Sequence, residues 1–200
     1  MFSAPLVAQA MSNTSYTAKA QSYLQNLKTA KASFIQTSHD GSQLAGTFYL
    51  DRPGKLRFDY DGSDDFVVAD GYFIYFYDSE LEQQTNAPIG QTLADFILRE
   101  NLTLSGDVVI TDVKRAGGYV QMTLSQTSDP EAGKIILAFA DDAIDGQKFE
   151  LRKWRVIDPQ GLITEVELVG MQSPAVHKAG LFHYFDPKRK ERREKGLFNE

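Results

Sequence analysis

The chain has 200 residues, 42% hydrophobic and 24% charged, the balance of a globular protein with enough length to bury one sizeable core. A formal net charge of −6 argues against nucleic acid as the main partner. The lack of cysteine excludes disulfides, thiol catalysis and a lipid-modified N-terminal Cys, and no run comes near the roughly 18 apolar residues of a membrane-spanning helix.

The first ten residues end in Ala8-Gln9-Ala10, an Ala-x-Ala pattern. They read as the remnant of a secretory signal or as a plain N-terminal tail. On the signal reading the mature chain starts near Met11 and works outside the cytoplasm. Ser12, Asn13 and Thr14 are helix-capping types. Tyr16, Ala20, Tyr23, Leu24 and Leu27 then fall on one helical face, which predicts an amphipathic helix over 15–28.

A strand over 32–39 follows, then a turn at His39-Asp40-Gly41-Ser42 and a return strand over 44–51. From there turn signals recur at the spacing of an antiparallel sheet. They lie at Pro53-Gly54, Asp61-Gly62-Ser63, Asp70-Gly71, Gly117-Gly118, Asp129-Pro130-Glu131, Asp145-Gly146 and Asp158-Pro159-Gln160-Gly161. The strands between them are predicted over 55–60, 65–69, 72–77, 107–114, 119–126, 134–140, 149–157, 162–171 and 180–185. No internal repeat or low-complexity linker divides the chain, so one domain is expected.

Residues 72–77 are aromatic or aliphatic throughout. A strand buried on one face alternates apolar and polar residues. One that does not must be covered on both faces, or must hold an apolar guest on one of them. The pattern favours binding something apolar over cutting something polar.

One helical segment interrupts the strands. Thr92 and Asp95 have capping-box spacing. Leu93, Phe96 and Ile97, with Leu98 beside them, form an apolar face that Asn101 closes, predicting a helix over 92–100 that crosses the sheet. After Pro187, residues 188–195 hold six basic and two acidic side chains. They read as a solvated tail, or as a patch for anionic headgroups or an acidic partner.

Signatures of catalysis and metal binding are missing. His39, His177 and His183 have no ligand spacing. There is no Gly-x-Ser-x-Gly elbow, phosphate loop or dinucleotide fingerprint. Asp64-Asp65 and Asp141-Asp142 are adjacent, so in a strand their side chains point apart, and they are expected to be turn residues. No catalytic residue, metal or cofactor is therefore assigned; an enzyme would need groups converging from distant segments.

Taken in order, the motifs resemble the LolA family of periplasmic outer-membrane lipoprotein carriers. They are Phe34-x-Gln36; Gly46-x-Phe48-x-Leu50-x-Arg52-Pro53-Gly54-x-Leu56-Arg57-Phe58-x-Tyr60; and Val68-x-Asp70-Gly71-x-x-Ile74-Tyr75-x-Tyr77-Asp78 with Leu81-Glu82-Gln83. Later come Asp158-x-x-Gly161 and Phe182-x-x-Phe185-x-Pro187. The resemblance spans about 15–187. Ser173-Pro174 stands where the family pattern has Asn-Pro, and the basic tail replaces a Pro-x-Gly ending.

The resemblance implies a mainly β fold with some α, an incomplete β-barrel of about ten antiparallel strands with short helices over its concave face. It implies a carrier domain over 11–187, between a signal remnant at 1–10 and a basic tail at 188–200. Such a protein is a chaperone in the periplasm of a Gram-negative bacterium. It takes the acyl chains of lipoproteins from an inner-membrane lipoprotein-releasing transporter to an acceptor at the outer membrane, or to that membrane itself, as a monomer without nucleic acid. The same fold would serve an envelope-stress sensor that binds lipid, or an enzyme acting on lipid.

Alternate residues of adjacent strands would line the lipid-binding cavity: Phe48, Leu50, Leu56, Phe58, Phe66, Val68, Ile74, Phe76, Val166 and Leu168. Leu93, Phe96 and Ile97 would form its lid. The parity of 72–77 is a choice, since both its faces are apolar. Each buried methylene contributes about 0.8 kcal/mol, so one long acyl chain offers on the order of 10 kcal/mol. A shuttle must oppose that reversibly, and closing the empty cavity would do so. Arg52, always charged and carrying five donors, is the expected latch holding lid-loop carbonyls, the alternative being a solvent-facing charge at a strand end.

Overall fold

The computed structural model describes residues 5–141 and 148–187, with side chains from Asn13 onward. One antiparallel sheet dominates, ordered β6-β5-β4-β3-β2-β1-β11-β10-β9-β8-β7. Its strands are β1 (Thr29–Thr37), β2 (Gln43–Asp51), β3 (Lys55–Tyr60), β4 (Phe66–Asp70), β5 (Phe73–Asp78), β6 (Gln83–Pro88), β7 (Val108–Ala116), β8 (Tyr119–Gln126), β9 (Lys134–Ala140), β10 (Glu150–Ile157) and β11 (Ile163–Gln172). Each half is a hairpin meander, and β1 pairs with β11 to join them, with Phe34 opposite Leu168. β6 and β7 are the two edges, so the sheet does not close on itself.

The helices cover one face. Helix α1 spans Pro5–Asn26, not 15–28, and Ser12, Asn13 and Thr14 lie inside it rather than capping it. Pro5 suits the first turn, where its missing N–H costs no bond. α1 also runs across the expected boundary at residue 10. The predicted 92–100 helix is shorter: a 3-10 turn at Ile89–Gln91 precedes a four-residue α2 at Asp95–Leu98. No capping box forms, because the Thr92 hydroxyl donates back to the Ile89 carbonyl (2.8 Å) and the Asp95 carboxylate pairs with Arg99.

Strand alternation follows the sequence where one face is polar. Phe48 and Leu50 on β2, Leu56 and Phe58 on β3, and Val120, Met122 and Leu124 on β8 are buried. A register shift at Arg152 puts Leu151 and Trp154, three apart, on the same face. The Trp154 indole then meets the rings of Phe48 (5.7 Å) and Phe58 (6.2 Å) across the sheet.

Two expectations about strands need correction. β6 was not foreseen; its Gln-Gln-Thr-Asn-Ala-Pro run has no apolar period, and pairing with β5 makes it a strand. Residues 180–185 are not a strand. Residues 173–187 instead form an irregular strap over the outer face. The Ser173 hydroxyl donates to the Thr29 carbonyl (2.8 Å), His177 Nε2 meets the Leu50 carbonyl (2.9 Å), and Tyr184 stacks on Tyr75 (4.7 Å). Asp141 also departs from expectation. It is buried at the end of β9 and forms an ion pair with Lys19 of α1 (2.8 Å). The Asp145-Gly146 turn, Asp142 and the 188–200 tail lie outside the described residues.

Gly46 marks the closest approach in the sheet. A Cβ there would sit 2.0 Å from the Asp59 carbonyl oxygen and 2.8 Å from the Phe34 ring. Overpacking of this kind costs about 3 kcal/mol, so Gly46→Ala is expected to lower Tm by roughly 6–12 °C. Thermal unfolding followed by circular dichroism measures this, and an unchanged Tm would show that β2 and β3 can part.

Candidate functional site

The covered face is one continuous apolar wall. From the N-terminal meander it takes Phe48, Leu50, Leu56 and Phe58, and from β11 Val166 and Leu168, all in one buried cluster. Phe96 and Ile97 of α2 are buried against that cluster, and Leu93 and Ile74 pack on it partly buried. Phe76 shares the covered side by register, opposite Val67, but stays 42% exposed.

Phe66 and Val68 do not belong to this wall. The β3–β4 register sets Phe66 opposite Asp59 and Val68 opposite Arg57, so Val67 and Ala69 share the face of Phe58 and Leu56. Phe66 and Val68 form a separate outer cluster with Tyr77, joined by Tyr75 and Tyr184. The Arg57 guanidinium lies 4.6 Å from the Phe66 ring centre. Phe66-Val67-Val68-Ala69 is apolar on both sides, so alternation could not choose between them.

Sequence reasoning missed much of the wall. Trp154, Met122, Leu137 and Phe139 extend it through the C-terminal meander, and Leu98, Leu102 and Leu104 join Phe96 and Ile97 in the covering segment. Met122, Leu137 and Phe139 sit at alternate positions of predicted strands, so their signal was present, whereas the register shift takes Trp154 out of step with Leu151.

The two covering elements meet at one corner. α1 and α2 carry no basic residue in their last turns, although cations suit the orphan carbonyls and negative dipole end found there. Arg52, only 7% exposed, supplies that cation from the end of β2. Its Nη1 donates to the carbonyls of Leu24 and Leu27 (the latter at 3.3 Å), and its Nη2 to that of Arg99 (2.6 Å). The backbone adds Arg52 N–H to Lys28 (2.8 Å) and Gly54 N–H to Leu98 (2.8 Å). Gly54 is required here: its φ is +77°, and a Cβ would sit 2.8 Å from Gly71 Cα in the adjoining turn. Burial lowers the Arg52 pKa from its ordinary value, yet guanidinium remains charged in proteins.

The covers are also tied to each other. Gln25 Nε2 donates to the Leu102 carbonyl (3.0 Å), and Gln21 Oε1 accepts from the Leu104 N–H (3.1 Å). Arg99, whose carbonyl meets Arg52, pairs through its side chain with Asp95 and with Asp107 (2.9 Å). Losing both glutamine bonds removes about 1–2 kcal/mol. Gln21→Ala/Gln25→Ala is therefore expected to speed amide exchange in 95–104 about tenfold and leave β8 and β9 unchanged. Exchange that rises equally throughout would indicate general destabilisation and not loss of the tie.

No group of His, Cys, Asp and Glu capable of holding a metal occurs among the described residues. No helix among them is long and apolar enough to cross a membrane.

A family model described as outer membrane lipoprotein carrier protein LolA matches residues 25–185. The chain is 30% identical over 177 residues to an outer-membrane lipoprotein carrier protein of Legionella pneumophila (strain Paris), covering 84% of each chain. It is 27% identical over 176 residues to the protein of the same description from Methylococcus capsulatus, covering 84% of this chain and 82% of the other. Among solved structures it is similar to a DUF1329 family protein from Desulfovibrio piger, with a TM-score of 0.51 at 9% identity, covering 84% of this chain and 95% of that one. At that identity the likeness concerns the fold alone.

Proposed function

This chain belongs to the LolA family, and on that premise we propose that it is a periplasmic carrier of lipoprotein acyl chains. It takes them from an inner-membrane transporter and yields them at the outer membrane, working as a monomer with residues 11–187 as the carrier body. The observation that carries this reading is Arg52: one buried guanidinium holds both elements that cover a continuous apolar wall. A joint that ties both covers to the sheet at one residue suits a cavity that must open and close.

The mechanism follows from competition for the wall. In the empty protein α1 and α2 bury it, and the latch bonds add to that burial. Acyl chains displace the lid, gaining about 0.8 kcal/mol per methylene while the latch and lid contacts are lost. Because both states bury the same wall, loading and release differ by far less than the gross transfer energy. Transfer needs no covalent step, so no residue is assigned to catalysis.

The test is mass spectrometry of the protein purified from the periplasm of its own cells. Co-purified triacylated lipoprotein is the expected result. A stable regulatory protein partner in its place would favour the sensor, and turnover of an acyl ester the enzyme.

A further inference from the structure

A crevice of about 590 Å³ runs between the flank of α1, the start of β10 and the end of β11. That is ample for a lipid-sized ligand, since such sites typically measure about 300–1,000 Å³. Its floor is continuous with the covered wall: Leu27 and Phe149 belong to the buried cluster, and Tyr23 and Met171 pack on it. Ser22 and Lys148 present exposed donors at its rim. Of the other polar residues that line it, Asn26 donates to the Ser22 carbonyl (2.9 Å), Ser173 to the Thr29 carbonyl (2.8 Å), and Glu150 is paired with Arg152 (3.1 Å). Lys19 is fixed at the edge by Asp141 (2.8 Å) and stands 4.5 Å from the Phe149 ring centre. Burial pushes the Tyr23 hydroxyl up to about 12, so it stays a neutral group.

An apolar floor beneath the Ser22 hydroxyl and the Lys148 ammonium suits a ligand whose polar part consists mostly of acceptors. The glyceryl-cysteine end of a lipidated polypeptide is such a group: ester and amide carbonyls sit where the acyl chains begin. We propose that this crevice is the loading port for that end, a reading that rests on the carrier function. The port is coupled to the latch, because Leu27 lines the crevice while its carbonyl accepts from Arg52 (3.3 Å). Cargo settling in the crevice presses on the turn that Arg52 holds, so the first contact loosens the lid. Glyceryl esters also occur in phospholipids, so the test includes both sources.

Ser22→Trp fills the crevice from an exposed helix position, and Lys148→Ala removes a donor from its exposed rim. Binding is measured by tryptophan-independent displacement of a dansylated fatty acid by three ligands: a synthetic tripalmitoyl-cysteinyl peptide, dipalmitoyl phosphatidylglycerol and palmitate. Both variants should keep wild-type Tm and palmitate affinity. The lipopeptide affinity should fall about tenfold for Ser22→Trp and about threefold for Lys148→Ala, and fall more than that for phosphatidylglycerol. Wild-type lipopeptide affinity in both variants, with Ile97→Glu defective, overturns the port and leaves the carrier standing. A loss confined to phosphatidylglycerol overturns the assignment to the cysteine end. A wild-type protein that binds no lipopeptide overturns the carrier and the port together.

Discussion

Arg52→Leu is expected to accept lipoprotein and fail to hand it on. Leucine leaves the carbonyls of Leu24, Leu27 and Arg99 without the donors they have in the closed form. Buried acceptors without partners are costly, and these regain partners when the lid lifts and water reaches them. The loaded state, in which the lid is already displaced, loses little. Charge-assisted bonds of this kind are worth roughly 1.5–3 kcal/mol, which moves the balance toward the loaded state by about one to two decades. Arg52→Lys should restore only part of the transfer, because an ammonium cannot span two helix ends as the planar fork does. Transfer to acceptor outer membranes, with loading scored separately, is the measurement. Normal transfer by Arg52→Leu would remove the latch, and equal loss of loading and transfer would point to misfolding.

On the proposed reading, the latch accounts for the absence of basic residues from the last turns of α1 and α2. A lysine or arginine in the last turn of α1 would satisfy those carbonyls within the helix, and α1 would then be indifferent to β2. Placing the cation on the sheet makes the helix ends depend on the corner at 52–54, where β2 turns into β3. On the carrier reading, closure is thereby a property of the whole molecule and not of either helix.

The sheet was legible where one side of a strand is polar. Alternation over 119–126 and 44–58 gives both the strands and their buried positions, because Gln, Thr, Lys and Asp mark the other side. Legibility failed where a second layer covers the outer face. Phe66 and Val68 are 8% and 0% exposed under the C-terminal strap, so β4 is apolar on both sides and gives no parity. The strap misled for the same reason. Phe182 and Tyr184 turn inward at alternate positions, which imitates the period of a strand without its ladder. β6 failed in the opposite sense: an edge made by backbone pairing leaves no pattern in its side chains. The partners of Arg52 were not legible, since they are carbonyls, which have no signature in sequence.

The parity of β3 and β4 yields the second large effect. Phe58→Glu puts a carboxylate on the covered wall, and Ile97→Glu puts one on the lid. The empty protein can relieve either charge by lifting the lid to admit water. The loaded protein cannot, because acyl chains occupy that space, and an unpaired charge against hydrocarbon costs several kcal/mol. Binding of a dansylated fatty acid is therefore expected to fall at least a hundredfold in both variants. Phe66→Glu carries the same chemical change to a residue on the neighbouring strand, and there the outcome should differ. Its carboxylate would face outward beside the Arg57 guanidinium, which already lies 4.6 Å from the Phe66 ring centre. Affinity should stay within about twofold of wild type, although lost stacking on Tyr77 lowers Tm. Circular dichroism establishes that each variant is folded before binding is scored. Equal loss in Phe58→Glu and Phe66→Glu would mean that both faces of the sheet bear on the ligand, and wild-type binding by Phe58→Glu and Ile97→Glu would place the acyl chains elsewhere.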